Sequence, residues 1–251
     1  MIAQVLAGGG DYDLLWSLIG AVRNGFPVEN LRPLLVSENP RITATAAYLA
    51  YELGSDMRPV LDDLVPLADH PGAQWRSDII IAMTDCVGPD NLDALSRIML
   101  AFDDPEPFVH RAAMNFVIGA ESLTLVHAVG EAAARFPGSP FETILSMLLG
   151  KRTRLDTRSL RMTDARLKQF IDHDEPVVRR FGVGLAARPT YVVDIGRLEI
   201  ARGCRDEEGL RVIDFTMHRP RAELARLEYQ KSGSQRGERW RTRQRSRDSQ
   251  G

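Results

Sequence analysis

The sequence predicts an all-α protein, a right-handed superhelix of about five or six helical pairs with a disordered basic C-terminal tail. Two observations lead to this fold class. A short turn containing proline returns about every 31 to 35 residues, and apolar residues at helical spacing follow each copy. No segment of useful length alternates apolar and polar residues as a strand does. A repeat of this length is typical of a solenoid, whose units bury their apolar faces against each other.

The repeated turn marks where each unit begins. Its copies are Asn39-Pro40, His70-Pro71, Asp104-Pro105 and His173-Asp174-Glu175-Pro176. Pro40 and Pro71 are 31 residues apart, and Pro71 and Pro105 are 34 apart. Pro105 and Asp174 are 69 residues apart, close to two periods. This spacing predicts one further unit near residue 139, where Pro137-Gly138-Ser139-Pro140 precedes an apolar segment.

Apolar periodicity divides the chain into an N-terminal pair, three clear units and a less regular C-terminal part. The predicted helices are 14–22 and 28–37, then 41–53 with 57–68, 75–87 with 91–102, and 108–119 with 122–136, followed by 142–149, 164–171, 177–187 and one more unit within 190–216. Residues 1–230 are therefore predicted to form the solenoid, with a basic connector at 151–162. The role of residues 150–230 is not predicted.

Charge is distributed unevenly along the chain, although the net charge is only −2. Residues 231–251 carry seven basic and two acidic side chains and almost no apolar ones, so this tail is predicted to be disordered. Residues 55–106 carry eleven acidic side chains and three arginines. The second and third repeats are therefore strongly acidic.

Two phrases in the first clear unit resemble a HEAT repeat. They are the segments from Ala46 to Gly54 and from Arg58 to Leu67. The next two turns, each followed by an arginine, show the same resemblance. The resemblance implies that turn residues and these arginines form a ladder between neighbouring units. The recurring arginines are Arg76, Arg111 and Arg179.

The run from Ala46 to Ala120 further resembles bacterial HEAT-like proteins that are thought to serve as immunity proteins beside secreted toxins. This resemblance implies a non-enzymatic protein that binds a protein partner. In such arrays the second helices line the concave face. The partner of an immunity protein would be a cognate toxin, whose active site or substrate groove the solenoid would block.

Six aspartates are the candidate partner-binding residues, because all belong to second helices or to the turns that follow them. They are Asp62, Asp63, Asp69, Asp93, Asp103 and Asp104. On a concave face they would form one negative trough, which favours a basic protein partner. The alternative for each residue is an ordinary solvated surface.

Catalytic, cofactor-binding and metal-binding residues are not predicted. The five histidines form no HExxH pattern, and neither cysteine has a ligand neighbour at zinc spacing. Asp69-His70 and Asp172-His173-Asp174 occur at equivalent positions, where acid and imidazole are ordinary turn and capping residues. We therefore expect no enzyme and no cofactor.

A second hypothesis is a HEAT-like DNA-binding protein or an enzyme resembling the alkylpurine DNA glycosylases. Such proteins use a basic groove, whereas the face predicted here is acidic and the chain has only three lysines. Nucleic acid is therefore expected to bind only through the tail.

The N-terminus makes a poor signal peptide, no apolar run could span a membrane, and the two cysteines suggest reduced thiols. We expect a cytoplasmic protein.

Overall fold

The structure is a computed structural model, and it describes residues 1–8, 12–150, 162–189 and 194–218. It confirms an all-α solenoid, and the described residues contain no β-strand. Met1–Ile213 form one compact body. A second unit, Asp214–Gly251, is described only at residues 214–218, where the last helix ends. None of the described helices combines the length and the apolar character needed to cross a membrane.

The helices follow one another in a simple order. They are α1 (Ile2–Gly8), α2 (Tyr12–Arg23), α3 (Arg32–Leu35), α4 (Pro40–Leu53), α5 (Leu61–Leu64), α6 (Ala73–Cys86), α7 (Leu92–Leu100), α8 (Pro107–Gly119), α9 (Ser122–Arg135), α10 (Pro140–Leu149), α11 (Asp164–Ile171), α12 (Pro176–Ala187), α13 (Ile195–Ala201) and α14 (Glu207–His218). Short 3-10 helices lie at Val28–Leu31, Gly54–Val60, Val65–Asp69 and Ala101–Asp103.

The helices form two layers. In the first layer α2, α4, α6, α8 and α12 pack side by side in that order. In the second layer α3 contacts α5, the 3-10 helix Val65–Asp69 contacts α7, α7 contacts α9, and α9 contacts α10. Of the helices predicted between residues 41 and 136, all but 57–68 are confirmed, and they alternate between the two layers.

Prolines interrupt the second layer at its N-terminal end. The sequence predicts one helix over 57–68, but this segment consists of two 3-10 helices on either side of α5. Pro59 lies inside the first of them, and Pro66 is the second residue of the other. Each proline lacks a backbone N–H and crowds the preceding turn, so a continuous α-helix cannot form. The predicted helix 28–37 is likewise a 3-10 helix followed by α3, which has Pro33 near its start.

The array is irregular where a complete further unit was expected near residue 139. Helix α10 does form there, but it packs against α9 and thus extends the second layer. Helix α12 instead packs directly on α8. A Cβ at Gly184 of α12 would lie only 2.8 Å from Cβ of Val117 in α8, which shows how closely the two helices approach. Among the described residues, no first-layer helix therefore lies between α8 and α12.

An aromatic cluster fixes α12 in this position. The Phe181 ring lies 6.0 Å from the Phe102 ring and 5.9 Å from the Phe170 ring, and all three side chains are fully buried. Phe181 lies in α12, Phe170 in α11 and Phe102 in the 3-10 helix Ala101–Asp103 that follows α7. Burial of such aromatic side chains is a large stabilising term.

Helix α1 is not predicted from the sequence, although Val5 in it is completely buried. Several predictions concern residues outside the described ranges. These are the disordered tail 231–251, nearly all of the connector 151–162, and the start of the unit at 190–216.

Candidate protein-binding surface

The turn that begins each unit contains the same hydrogen bond in four copies. A side-chain acceptor receives the backbone N–H two residues further on. The pairs are Ser37 Oγ with Asn39 N (3.2 Å), His70 Nδ1 with Gly72 N (3.0 Å), Asp104 Oδ1 with Glu106 N (2.9 Å) and His173 Nδ1 with Glu175 N (3.1 Å). The prediction that His70 and His173 are turn residues is confirmed.

One rung of the predicted ladder forms between α6 and the next turn. Arg76 donates from Nε to Asp104 Oδ2 (2.7 Å) and from Nη2 to Asp104 Oδ1 (2.8 Å). The two side chains are only 14% and 12% exposed. Burial alone would raise the pKa of Asp104, but the hydrogen bonds from Arg76 and from the Glu106 N–H lower it overall. Asp104 therefore serves the joint between units, and little of it can contact a partner.

The ladder prediction is wrong for both Arg111 and Arg179. Arg111 Nε lies 2.7 Å from Oε1 of Glu208, a buried residue in the first turn of α14. Arg179 donates to the carbonyls of its own turn, His173 (2.8 Å) and Asp174 (2.5 Å), and so joins no neighbouring unit. The sequence could not show that Glu208 is the partner of Arg111, because this contact depends on how α14 packs.

Arg180, which the sequence analysis passed over, makes the inter-unit contacts in that region. It donates from Nε to Asp206 Oδ2 and from Nη1 to the Phe102 carbonyl, both at 2.8 Å. Its Nη1 also lies 3.2 Å from Nε2 of His110. The adjacent Arg179 has the same residue type, so the sequence does not reveal which of the two reaches across.

Three of the six candidate aspartates form ion pairs along the second layer. Asp63 of α5 lies 2.9 Å from Arg32 of α3. Asp69 pairs with Arg97 of α7, and Asp93 of α7 pairs with Arg135 of α9. Each pair joins adjacent units, so these carboxylates are partly neutralised from within the chain. Asp69 and Asp93 nevertheless stay 70% and 71% exposed.

A groove lies beside these ion pairs, with walls from three consecutive units. Its volume is about 270 Å³, and its lining residues are Asp62, Val65, Pro66, Asp93, Ser96, Arg97, Leu100, Arg135 and Phe136. We call it the second-layer groove. Of the six candidate aspartates, Asp62 and Asp93 line it directly, and Asp69 reaches it through Arg97. Asp103 is exposed at the end of the α7 segment but does not line the groove.

The second-layer groove combines apolar and charged surface. Val65, Leu100 and Phe136 are half-buried, so each retains some apolar surface open to solvent. Asp62 is exposed and has no ion-pair partner among the described residues. Arg135 and Phe136 are not identifiable from the sequence, because a charge count between residues 55 and 106 cannot show which side chains at the end of α9 lie opposite.

The titratable side chains outside the groove do not assemble into a reactive cluster. Among the described residues, no three His, Cys, Asp or Glu side chains lie together in a way that could hold a metal ion. Burial and the neighbouring Asp85 raise the pKa of Cys86 to about 12, which keeps this thiol protonated. Burial also lowers the pKa of His110. Both groups belong to the packed interior.

Comparisons with protein-family models, with curated proteins and with solved structures found no match to this chain. The HEAT-like identity and the immunity role therefore stay predictions that rest on the sequence resemblance. The all-α solenoid rests on the structure itself.

Proposed function

We propose that this protein is a non-enzymatic binding solenoid that engages a protein partner through its second layer. One observation carries the proposal: the second-layer groove is built by α5, α7 and α9 together with the neighbouring 3-10 helix. A partner seated there would contact three consecutive units at once. Extended surfaces of this kind are how solenoids commonly bind macromolecules.

The size and lining of the groove favour a protein partner over a small molecule. A volume of about 270 Å³ falls below the roughly 300–1,000 Å³ that is usual for small-molecule sites. Half-buried Leu100 and Phe136 lie among charged side chains, and protein interfaces similarly place apolar contacts inside a polar rim. The groove thus suits side chains presented by another protein.

The charge of this region favours a basic partner. Asp56, Asp62, Asp90 and Asp103 are exposed and carry no ion pair among the described residues. A surplus of negative charge attracts basic proteins and repels nucleic acid phosphates. This supports the first hypothesis over a DNA-binding or glycosylase-like protein. In its most concrete form, the protein is an immunity protein that covers a basic toxin.

The test begins with a photo-cross-linking amino acid at Pro66, which is exposed and lines the groove. A matched variant carries the same group at Glu38, which is exposed and lies outside the groove lining. We expect the full chain to cross-link one protein from the source cell, with the neighbouring gene product as first candidate, from position 66 and not from position 38. Cross-linking that is equal at both positions, or absent from both, would reject the proposal.

Affinity for the captured partner then tests the role of charge. Replacing Asp62 and Asp63 together by Lys should weaken binding by about tenfold or more, and less at high salt, because close opposite charges couple strongly across interfaces. The control replaces Glu38 and Asp172 by Lys, which changes the net charge equally at two exposed positions outside the groove. An equal loss in both double variants would show that only overall charge matters.

A further inference from the structure

We infer that the second-layer groove seats one arginine side chain of the partner, with its guanidinium on Asp62 and its aliphatic stem against Leu100 and Phe136. The inference rests on the proposed function, because it assumes that the second layer is the interface. It adds the chemistry of the partner residue and the position of its charge.

The charges of the groove point to Asp62 as the acceptor. Arg97 already pairs with Asp69, and Arg135 pairs with both Asp93 and Glu131. Asp62 is the groove carboxylate left without an ion-pair partner among the described residues. A cation that enters can therefore pair with Asp62 without breaking an existing ion pair. An anion would have to displace Asp69 or Asp93 from its arginine and would also lie near the Asp62 charge.

The apolar part of the lining favours a cation on a long stem. Val65, Leu100 and Phe136 offer half-buried apolar surface in the same groove as Asp62. Arginine can bury its methylene groups on such surface while its charged end stays polar. Its planar guanidinium also matches a carboxylate with two parallel donors and is attracted to an aromatic face. A lysine ammonium makes neither the forked contact nor the stacking.

The size of the groove limits what can enter it. Its volume of about 270 Å³ falls just below the usual range for drug-sized ligands, which suits one long side chain better than a folded loop. The rest of the partner would then lie across the exposed rim, where Asp69 and Asp93 are found.

The experiment is an NMR titration of the full-length, ¹⁵N-labelled protein with N-acetyl-arginine amide. N-acetyl-citrulline amide serves as the matched probe, because it has nearly the same shape without the charge. We expect arginine to shift backbone signals of the groove residues with a dissociation constant on the order of millimolar, and citrulline to bind about tenfold more weakly. Asp62→Asn should weaken arginine binding to a similar extent, while Asp103→Asn, an exposed aspartate outside the groove lining, should not.

Equal shifts with both probes, or arginine binding that survives Asp62→Asn, would overturn the inference. Tighter binding of N-acetyl-lysine amide than of the arginine probe would overturn the choice of arginine. The outcome is separate from that of the proposed function. A partner that cross-links at position 66 without any arginine shift leaves the function standing and removes the arginine seat. An arginine shift without a cross-linked partner supports the arginine seat and rejects the proposed function.

Discussion

Arg76 and Asp104 join two consecutive units through parallel hydrogen bonds, Nε to Oδ2 at 2.7 Å and Nη2 to Oδ1 at 2.8 Å. Each residue also holds its own turn. Arg76 Nη1 donates to the His70 carbonyl at 2.9 Å, and Asp104 accepts the Glu106 N–H. A single ion pair therefore fixes the start of one unit against the start of the next.

Loss of the Arg76 side chain should be costly, because it leaves a mostly buried carboxylate without its partner. We expect Arg76→Ala to lower the free energy of unfolding by about 3 kcal/mol. Arg32→Ala is the control, since Arg32 pairs with Asp63 but its side chain is 53% exposed. The control should lose less than about 1 kcal/mol. Urea unfolding of both variants measures the difference, and equal losses would show that the Arg76 pair does not hold the units together.

Acid should weaken the joint between α8 and α12 through His110. This residue is buried, and its Nε2 donates to the Asp104 carbonyl, so Nδ1 is the unprotonated nitrogen. Nδ1 is buried and has no hydrogen-bond partner in the structure. The charged groups that face the ring are Asp104, Arg180 of α12 and Asp206 before α14. A proton added at Nδ1 would find no hydrogen-bond acceptor, and the buried positive charge would lie near that of Arg180.

The sign of the pH effect follows from the direction of the shift. Burial lowers the pKa of His110 below its ordinary value of 6.5, so the unfolded chain takes up the proton first. The contribution of His110 to the free energy of unfolding is therefore fully present above its pKa in the unfolded chain. This contribution is lost as the pH falls toward the lower pKa of His110 in the folded protein. We therefore expect the free energy of unfolding to fall as the pH is lowered through the ordinary His pKa of 6.5. His110→Gln should remove this slope in urea unfolding. A slope unchanged in His110→Gln would assign the effect to other groups.

The contact between α8 and α12 depends on a glycine. A Cβ at Gly184 would lie 2.8 Å from Cβ and Cγ1 of Val117, so Gly184→Ala should destabilise the protein by about 1–3 kcal/mol despite the better helix propensity of alanine. Gly130 of α9 has open space where a Cβ would lie. Gly130→Ala should therefore stabilise by up to about 1 kcal/mol. Thermal unfolding of both variants should give shifts of opposite sign; two stabilising substitutions would mean that α12 does not approach α8 so closely.

Both cysteines should be unreactive until the protein unfolds. Cys86 and Cys204 are buried, and burial raises the pKa of both thiols. The thiolate is the reactive form, so neither access nor ionisation favours the reaction. A thiol reagent such as DTNB should modify the native protein slowly and both thiols at once in denaturant. Fast labelling of either cysteine in the native protein would contradict this burial.

Local signals explain which helices the sequence predicts well. α4, α8 and α12 each begin with a proline that follows the recurring turn, so their starts are visible in the sequence. The apolar period of residues 57–68 predicts one helix, but Pro59 and Pro66 break this segment on either side of α5. The packing of α12 on α8 is not predictable from local patterns, since it depends on the fit of Gly184 against Val117.

The candidate site is also predictable only in part, because local patterns place residues on helices but do not show contacts between units. The sequence places the aspartates on second helices and in the turns after them, and the structure puts Asp62 and Asp93 together in one groove. Pairing of Asp69 and Asp93 with Arg97 and Arg135 could not be foreseen, because a charge count contains no distances between units. Asp104 looked equivalent to the others, yet the shape of its turn directs it to Arg76.

The packing of α12 on α8 also has a consequence for the order of folding. An ideal solenoid can grow from any unit, because every contact is between neighbours in the chain. Here the Arg180 guanidinium meets His110, which is 70 residues earlier in the chain, and Arg188 meets the Val117 carbonyl, 71 residues earlier. Closing a loop of this length costs entropy before any contact is gained, so this step should follow formation of the units on either side. The N-terminal units can then fold one after another onto their neighbours, whereas α12 docks on α8 in a later and slower step.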